Sequence, residues 1–242
     1  MFEIERFDSV TSTNDIAALR ARDGAKEGTV ILALSQSAGR GRMGRRFVSE
    51  KNCGIYMSVL LRPSFSAENS LLITTAAAVA VAETVEKYTG KRADIKWVND
   101  VYLDGKKVCG ILTEGRVTDK KLEYAILGIG LNLCEPTGGF DKSIKDIAGA
   151  IFEKGNAPDT EEVARDILCN FERYYKNLLD KPHFDGYISR NMLMQKDVDI
   201  IRGGERAGEG KVLGIADDFS LKLLTSSGEI ALSTGEVSVK MK

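Results

Sequence analysis

The sequence predicts an α+β protein: a mixed, largely antiparallel sheet packed on helices, followed by a small C-terminal β-barrel. Three observations carry that prediction. Four strand-like runs follow one another between Ile95 and Leu133 with no helix between them. The stretch Leu71 to Ala82 is apolar nearly all round, and the tail beyond Met194 is a series of short strands broken by seven glycines from Gly203 to Gly235. Successive strands without crossover helices argue against a parallel α/β sheet, a helix apolar on every side has to be buried, and short, evenly spaced strands suit a barrel.

Taken in order, Phe2 to Phe7 reads as a strand, and Ser12-Thr13-Asn14 offers N-caps for a helix through Arg22 that stops at Gly24. Thr29 to Leu34 is a buried strand, Ser35 to Val48 a polar, glycine-rich loop, and Gly54 to Leu61 a strand ended by Pro63. Ser66 caps a long helix through Lys87, with Gly90 as its stop. Ile95 to Val98, Val101 to Leu103, Lys107 to Glu114 and Leu122 to Leu133 are strands, with Asp104-Gly105 as a tight hairpin turn. Ser143 to Lys154 and Asp159 to Leu179 read as helices, the second marked by Asp159 and by Glu162 three residues on. Strands near Val198, Val212, Leu221, Ile230 and Val237 complete the tail. The expected division is a catalytic domain at 1–194 and a small barrel at 195–242.

Composition narrows the function. The 242 residues are 43% hydrophobic and 29% charged, with 34 basic against 35 acidic side chains and a net charge of -1, so no global field draws the protein to nucleic acid or to anionic membrane. The longest wholly apolar run, Ala76 to Ala82, is too short to cross a bilayer, and Met1 to Val10 carries acidic residues where a signal peptide needs a basic start; a cytoplasmic protein is expected. Cys53, Cys109, Cys134 and Cys169 are scattered without a C-x-x-C pair, which disfavours a zinc framework or a disulfide-stapled fold. His183 is the only histidine, so a His-ligated metal or a Ser-His pair is disfavoured and chemistry falls to Lys, Arg, Asp, Glu or backbone groups.

Two clusters carry that chemistry. From Gly39 to Arg46 four arginines and three glycines occupy eight consecutive positions, directly after Gln36-Ser37-Ala38. Glycines let backbone N–H groups approach an anion closely, and guanidinium forks grip carboxylate or phosphate bidentately. A solvated surface loop and an RNA-binding arginine-glycine segment are the competing readings. The second cluster is Lys96-Trp97-Val98-Asn99-Asp100 with Lys106-Lys107-Val108-Cys109-Gly110-Ile111-Leu112. Period two puts Lys107, Cys109 and Ile111 on one face and Lys106, Val108, Gly110 and Leu112 on the other, so each lysine shares a face with apolar side chains and one of them is expected to be partly desolvated. A core tryptophan, an ordinary Asn-Asp turn and edge-protecting lysines explain the same residues without a ligand. Gly128-Ile129-Gly130-Leu131-Asn132 sets two glycines on one strand face, leaving room for a flat ligand. Helix capping alone would account for Ser12, Thr13 and Asn14.

In order and spacing these segments together resemble biotin protein ligase, over essentially the whole chain. The resemblance implies a catalytic fold like that of class II aminoacyl-tRNA synthetases with an SH3-like barrel behind it. It implies a biotin site of Ser12, Thr13, Asn14, Gln36, Gly39, Arg40, Gly41, Arg42, Lys107, Gly110, Gly128 and Gly130, with Lys107 and Arg42 catalytic. It implies a nucleotide site of Arg42, Trp97, Asn99, Asp100, Lys107 and Asn132, with Mg²⁺ carried by ATP and no dedicated protein metal site. The implied partners are biotin, ATP and a biotin carboxyl carrier protein or domain; members include monomers and dimers, so a homodimer is among the implied assemblies. Val98 stands where the family usually has proline and Cys109 where it usually has alanine. The eleven residues before Ser12 are too few for a helix-turn-helix, so no DNA-binding role is expected. The nearest rival is lipoate-protein ligase chemistry, which also adenylates a carboxylate and acylates a lysine. A nucleic-acid-binding module using the same arginines is the rival of another class.

Overall fold

The computed structural model describes residues 2–118, 121–153, 155–233 and 237–241. Its centre is a seven-stranded mixed sheet of order β1-β2-β3-β7-β6-β5-β4. The strands are β1 (Glu3–Phe7), β2 (Thr29–Ala33), β3 (Gly54–Leu61), β4 (Asp94–Lys96), β5 (Asp100–Leu103), β6 (Lys106–Thr118) and β7 (Lys121–Asn132). Only β1 and β2 run parallel, joined by helix α1 (Thr13–Arg22); the other pairs are antiparallel.

Alternation along β3 and β7 sorts the two faces. Ile55, Met57, Val59 and Leu61 with Leu127, Ile129 and Leu131 belong to the main core, which also takes in helices α2 (Leu71–Thr89) and α3 (Thr160–Tyr175). Every residue from Ala76 to Ala82 is inaccessible to solvent, so the all-apolar stretch is the buried helix that its composition requires. The opposite face is only partly covered: Ala17 and Ala21 of α1 pack on Ile31, Leu60, Tyr124 and Ile126. Beside that small cluster the sheet carries glycines in place of bulky side chains.

Beyond a short helix α4 (Phe184–Ser189), five antiparallel strands form a second sheet of order β11-β10-β9-β8-β12. These are β8 (Asp197–Arg202), β9 (Glu205–Ile215), β10 (Leu221–Thr225), β11 (Gly228–Leu232) and β12 (Val237–Met241). Among the described residues no helix is long and apolar enough to cross a membrane.

Several element bounds differ from those expected. A 3-10 turn at Ala67–Ser70 precedes α2, which begins at Leu71, and α3 ends at Tyr175 ahead of a separate turn at Leu178–Asp180. The expected helix at Ser143 does not form: Ser143 gives both its N–H and its hydroxyl to the Asp141 carboxylate, and the chain then turns so that Ala148 bridges Lys107. A Ser-Asp turn outcompetes the helix locally, and pairing with β6 completes the preference. Lys154, the expected end of that helix, and Gly235 in the tail lie outside the described residues.

Candidate active site

Strand register decides what the open face can hold. Across β3, β7 and β6, Tyr56 lies opposite Gly130 and Gly130 opposite Gly110; one rung away Ser58 lies opposite Gly128 and Gly128 opposite Leu112. Residues two apart share a face, so Gly110, Gly128 and Gly130 clear one patch in the middle of the sheet. A cavity of about 330 Å³ opens over it. A Cβ on Gly128 would sit 2.3 Å from Asn14 Oδ1, and one on Gly130 would sit 2.6 Å from the Phe47 ring, so any larger residue at either position displaces a side chain that borders the cavity.

One end of the cavity is a hydrogen-bonding cluster. Gln36 Oε1 accepts from the Thr13 N–H at 2.8 Å and from the Thr13 hydroxyl at 3.1 Å, while Gln36 Nε2 donates to Ser49. Ser58 Oγ lies 2.7 Å from Thr13 Oγ1 and 2.6 Å from Asn14 Oδ1, and Asn14 Nδ2 donates to Glu114 at 2.6 Å. Ser12 is the buried N-cap residue of α1 but its side chain makes no cap bond. Capping therefore does not account for these three side chains.

The other end is cationic. Lys107 Nζ pairs with Asp100 at 2.6 Å, and Arg42 Nη1 donates to Asn99 Oδ1 at 3.1 Å, so the two adjacent residues Asn99 and Asp100 draw Arg42 and Lys107 together. Asn99 is itself held by a bond from its Nδ2 to the Ile111 carbonyl at 2.8 Å. Desolvation pulls the Arg42 guanidinium below its usual pKa against the pull of Asp100. Burial likewise lowers Lys96, again against Asp100. Lys96 is thus a partly desolvated lysine that the hairpin reading missed, while Lys106 is exposed and donates to the Asp146 carbonyl.

Strict alternation along β6 fails at its start. The β5–β6 register shifts between Val101 and Tyr102, which face Cys109 and Lys107 respectively, so one extra residue is taken up at Val108. That bulge turns Lys107 onto the face of Gly110, whose added Cβ would lie 3.4 Å from Lys107 Nζ, and leaves Cys109 with Ile111 in the core.

The arginine-glycine segment is a folded hairpin and not a solvated loop. Gly41 N–H bonds to the Arg45 carbonyl at 2.7 Å and Phe47 N–H to the Gly39 carbonyl at 2.9 Å. It roofs the cavity with Arg40, Gly41, Arg42 and Phe47. Gly39 does not line the cavity: a Cβ there would meet the Phe47 carbonyl at 2.5 Å, so its role is close packing at the base of the hairpin. Arg40 does line the cavity, yet its guanidinium is engaged by Asp15 and Glu114.

Trp97 is 4% exposed and donates its indole N–H to the Phe219 carbonyl at 2.8 Å, tying this end of the site to the second sheet; the Trp97–Val98 peptide is cis. Asn132 donates to the Gly149 carbonyl at 2.9 Å. Segment 140–149 is pinned along β6 by Lys107 N–H to the Ile147 carbonyl and Gly149 N–H to the Lys107 carbonyl, and it brings Phe140, Ile144 and Ile147 to the cavity wall.

All the residues predicted for the site except Gly39 therefore line one cavity. Phe47 in the cavity wall, and Ser58 and Glu114 behind its polar end, were missed, and Lys96 was named only as part of its cluster and given no role. The face of Glu114 could have been counted from Gly110 in steps of two, whereas an aromatic in a loop has no periodic signal. Chemically, the cavity offers donors and acceptors at one end, an uncluttered floor, and the cations Arg42, Arg45, Lys96 and Lys107 at the other. No group of three or more His, Cys, Asp or Glu among the described residues could hold a metal.

Residues 6–132 match the Biotin/lipoate A/B protein ligase family. The chain belongs to the biotin/lipoate A/B protein ligase family. The matched span contains the polar cluster, the arginine hairpin, Lys107 and the glycine floor. Among relatives in this family, the bifunctional ligase/repressor BirA of Bacillus spizizenii is 36% identical over 228 residues, covering 91% of this chain and 69% of BirA. The biotin–[acetyl-CoA-carboxylase] ligase of Paracoccus denitrificans is 29% identical, covering 94% of this chain and 97% of that protein. The biotin protein ligase from Aquifex aeolicus in complex with biotin and ATP superposes over 100% of both chains with a TM-score of 0.83 at 27% identity.

Proposed function

We propose that this chain is an ATP-dependent biotin-[acetyl-CoA-carboxylase] ligase, which joins biotin to ATP as biotinyl-5'-AMP and passes the acyl group to a lysine of a biotin carboxyl carrier protein. The observation that carries the reading is the convergence of Arg42 and Lys107 at Asn99-Asp100, across a glycine floor from the Thr13, Asn14, Gln36 and Ser58 cluster. Relatives and structural neighbours named as biotin ligases support the substrate.

Each part of the cavity then has a task. Biotin's ureido ring carries both N–H donors and a carbonyl acceptor, which suits the polar end; a lipoyl dithiolane has neither and would leave that cluster unanswered. The glycine floor of Gly110, Gly128 and Gly130 leaves room for the fused rings to lie against the sheet, and Ser12 and Gly41 line the same cavity. Biotin carboxylate and the α-phosphate repel each other, and Arg42 and Lys107 offset that repulsion as the carboxylate oxygen attacks phosphorus and pyrophosphate leaves. Asn99, Asp100, Asn132 and the backbone at Trp97 border the nucleotide end. Mg²⁺ would arrive on the ATP phosphates, with the half-buried Asp100 carboxylate as the adjoining protein group, and would supply further charge neutralisation.

The product is a mixed anhydride that water destroys, which the roofing hairpin and segment 140–149 keep from solvent. The carrier lysine, as a neutral amine, adds to the acyl carbon, AMP departs, and the amine proton is lost; this chain needs no nucleophile of its own. The reading includes a class II synthetase-like catalytic domain at 1–194, an SH3-like barrel at 195–242, and assembly as a monomer or homodimer. The separate five-stranded sheet beginning at Asp197 supports the division.

The test is incubation with biotin, Mg-ATP and a carrier domain, read as a mass increase on the carrier lysine, beside pyrophosphate exchange with biotin or lipoate. Biotin-stimulated exchange and carrier modification are expected. Exchange stimulated by lipoate alone overturns the substrate assignment, and steeply salt-dependent nucleic-acid binding without ATP turnover overturns the enzyme.

A further inference from the structure

The polar end of the cavity and the hairpin above it form one hydrogen-bonded chain. Ser58 touches Asn14, Asn14 donates to Glu114 Oε2 at 2.6 Å, and the same oxygen accepts from Arg40 Nη2 at 2.7 Å. The other arm of the Arg40 guanidinium pairs with Asp15, in the first turn of α1. Burial pulls the Arg40 pKa down, but Glu114 and Asp15 outweigh it and hold the guanidinium above its usual value.

Arg40 sits on one arm of the 39–47 hairpin, and Phe47 ends the other arm over Gly130. While Arg42 reaches Asn99 at the cationic end, Arg40 is committed to two of the protein's own carboxylates, one on the helix and one on the sheet. Nothing in the chemistry of adenylation requires those two acids. Their geometry makes sense as an attachment between the hairpin and the body of the protein.

We infer that Asp15 and Glu114 are positioning residues that act through Arg40 to hold the 39–47 hairpin closed over the cavity, Glu114 also linking that closure to Asn14 at the polar end. This rests on the ligase reading and adds to it what sets the lifetime of the bound adenylate. The side chains of Arg40, Asp15 and Glu114 are 41%, 46% and 42% exposed, so each pair is partly screened by water. The attachment is therefore weak enough to release product readily, and salt loosens it further.

The experiment loads the protein with biotin and Mg-ATP, then measures the rate at which biotinyl-AMP escapes during a chase, at low and high salt. Wild type is compared with Asp15→Asn, Glu114→Gln, Arg40→Gln and the double variant Asp15→Asn with Arg40→Gln. Each of the two acid variants should release the intermediate roughly two- to fivefold faster without a change in melting temperature. Salt should speed release from wild type more than from either acid variant. The double variant should release no faster than Arg40→Gln alone, which a merely structural role for Asp15 does not require. Unchanged release in both acid variants, or a full Asp15→Asn effect on top of Arg40→Gln, overturns the attachment while leaving the ligase standing. Failure of wild type to form adenylate at all overturns both.

Discussion

Lys107 is half-buried against Asp100 at 2.6 Å, in a cavity whose other nearby cations include Arg42, Arg45 and Lys96. Removing its charge takes away the direct partner of Asp100, whose carboxylate then adds to the repulsion of an incoming phosphate. Lys107→Gln should therefore lower the rate of adenylate formation by about 10²- to 10³-fold, the usual cost of losing one preorganised charge-stabilising group. Pyrophosphate exchange reads the rate and circular dichroism the fold; near-normal exchange in a folded variant disproves the assignment. Gly128→Ala tests the floor. Its Cβ would lie 2.3 Å from Asn14 Oδ1, so Asn14 has to leave Ser58 and Glu114, and the KM for biotin should rise at least about tenfold while that for ATP moves less. Equal rises in both constants would contradict a floor that serves biotin. At this scale the residue types were legible because glycines and arginines have few structural reasons to crowd together. Orientation was less so: the bulge at Val108 reverses the parity on which the side of Lys107 depends, and only pairing with β5 reveals it.

Among elements, legibility followed the strength of the local signal. Asp159 accepts from the N–H groups of Glu161 at 2.9 Å and Glu162 at 3.1 Å, so the predicted cap of α3 is made as its sequence implies. Val163, Ala164, Ile167, Leu168 and Phe171 then bury one face of that helix in the main core. Asp159→Ala should cost about 1 kcal/mol of stability, measured as a lower urea midpoint at unchanged slope. A loss below about 0.3 kcal/mol would mean that packing alone fixes the helix start. The region after Ser143 shows the opposite case. Its helix-like spacing of isoleucines is real, but Asp141 captures Ser143 and β6 captures the following backbone, so Ile144 and Ile147 reach the cavity instead of a helix seam. Local pattern could not reveal that competition, because the winning partner, Lys107, lies some forty residues away in the chain.

On the scale of the molecule, His183 lies where helices α2 and α3 meet Phe219, which precedes β10 of the second sheet. Its ring stacks on Phe219 with centroids 5.0 Å apart, meets Tyr174 edge-on, and bonds through Nε2 to Thr75 at 2.9 Å, while Nδ1 has no partner among the described residues. Burial lowers its pKa from 6.5 to about 4. The native state thus refuses a proton that the unfolded chain accepts below about pH 6.5, so stability is full above that pH and falls as pH drops toward 4. The loss should reach about 2 kcal/mol by about pH 5 and on the order of 3 kcal/mol below the native pKa. Since His183 is the only histidine, no other side chain with an ordinary pKa titrates between about pH 5 and 6.5, which makes the assignment clean. Urea unfolding of wild type should show that slope, and His183→Gln, although less stable at neutral pH, should be nearly flat over the same interval. A slope that survives in His183→Gln places its origin elsewhere. Because the Phe219 carbonyl also holds the Trp97 indole, and Trp97 is two residues from Asn99, loosening this contact should reach Asn99 and the proposed nucleotide end of the site. The KM for ATP should accordingly rise with acidification before the KM for biotin does, and simultaneous rises would mean that the contact and the site are independent.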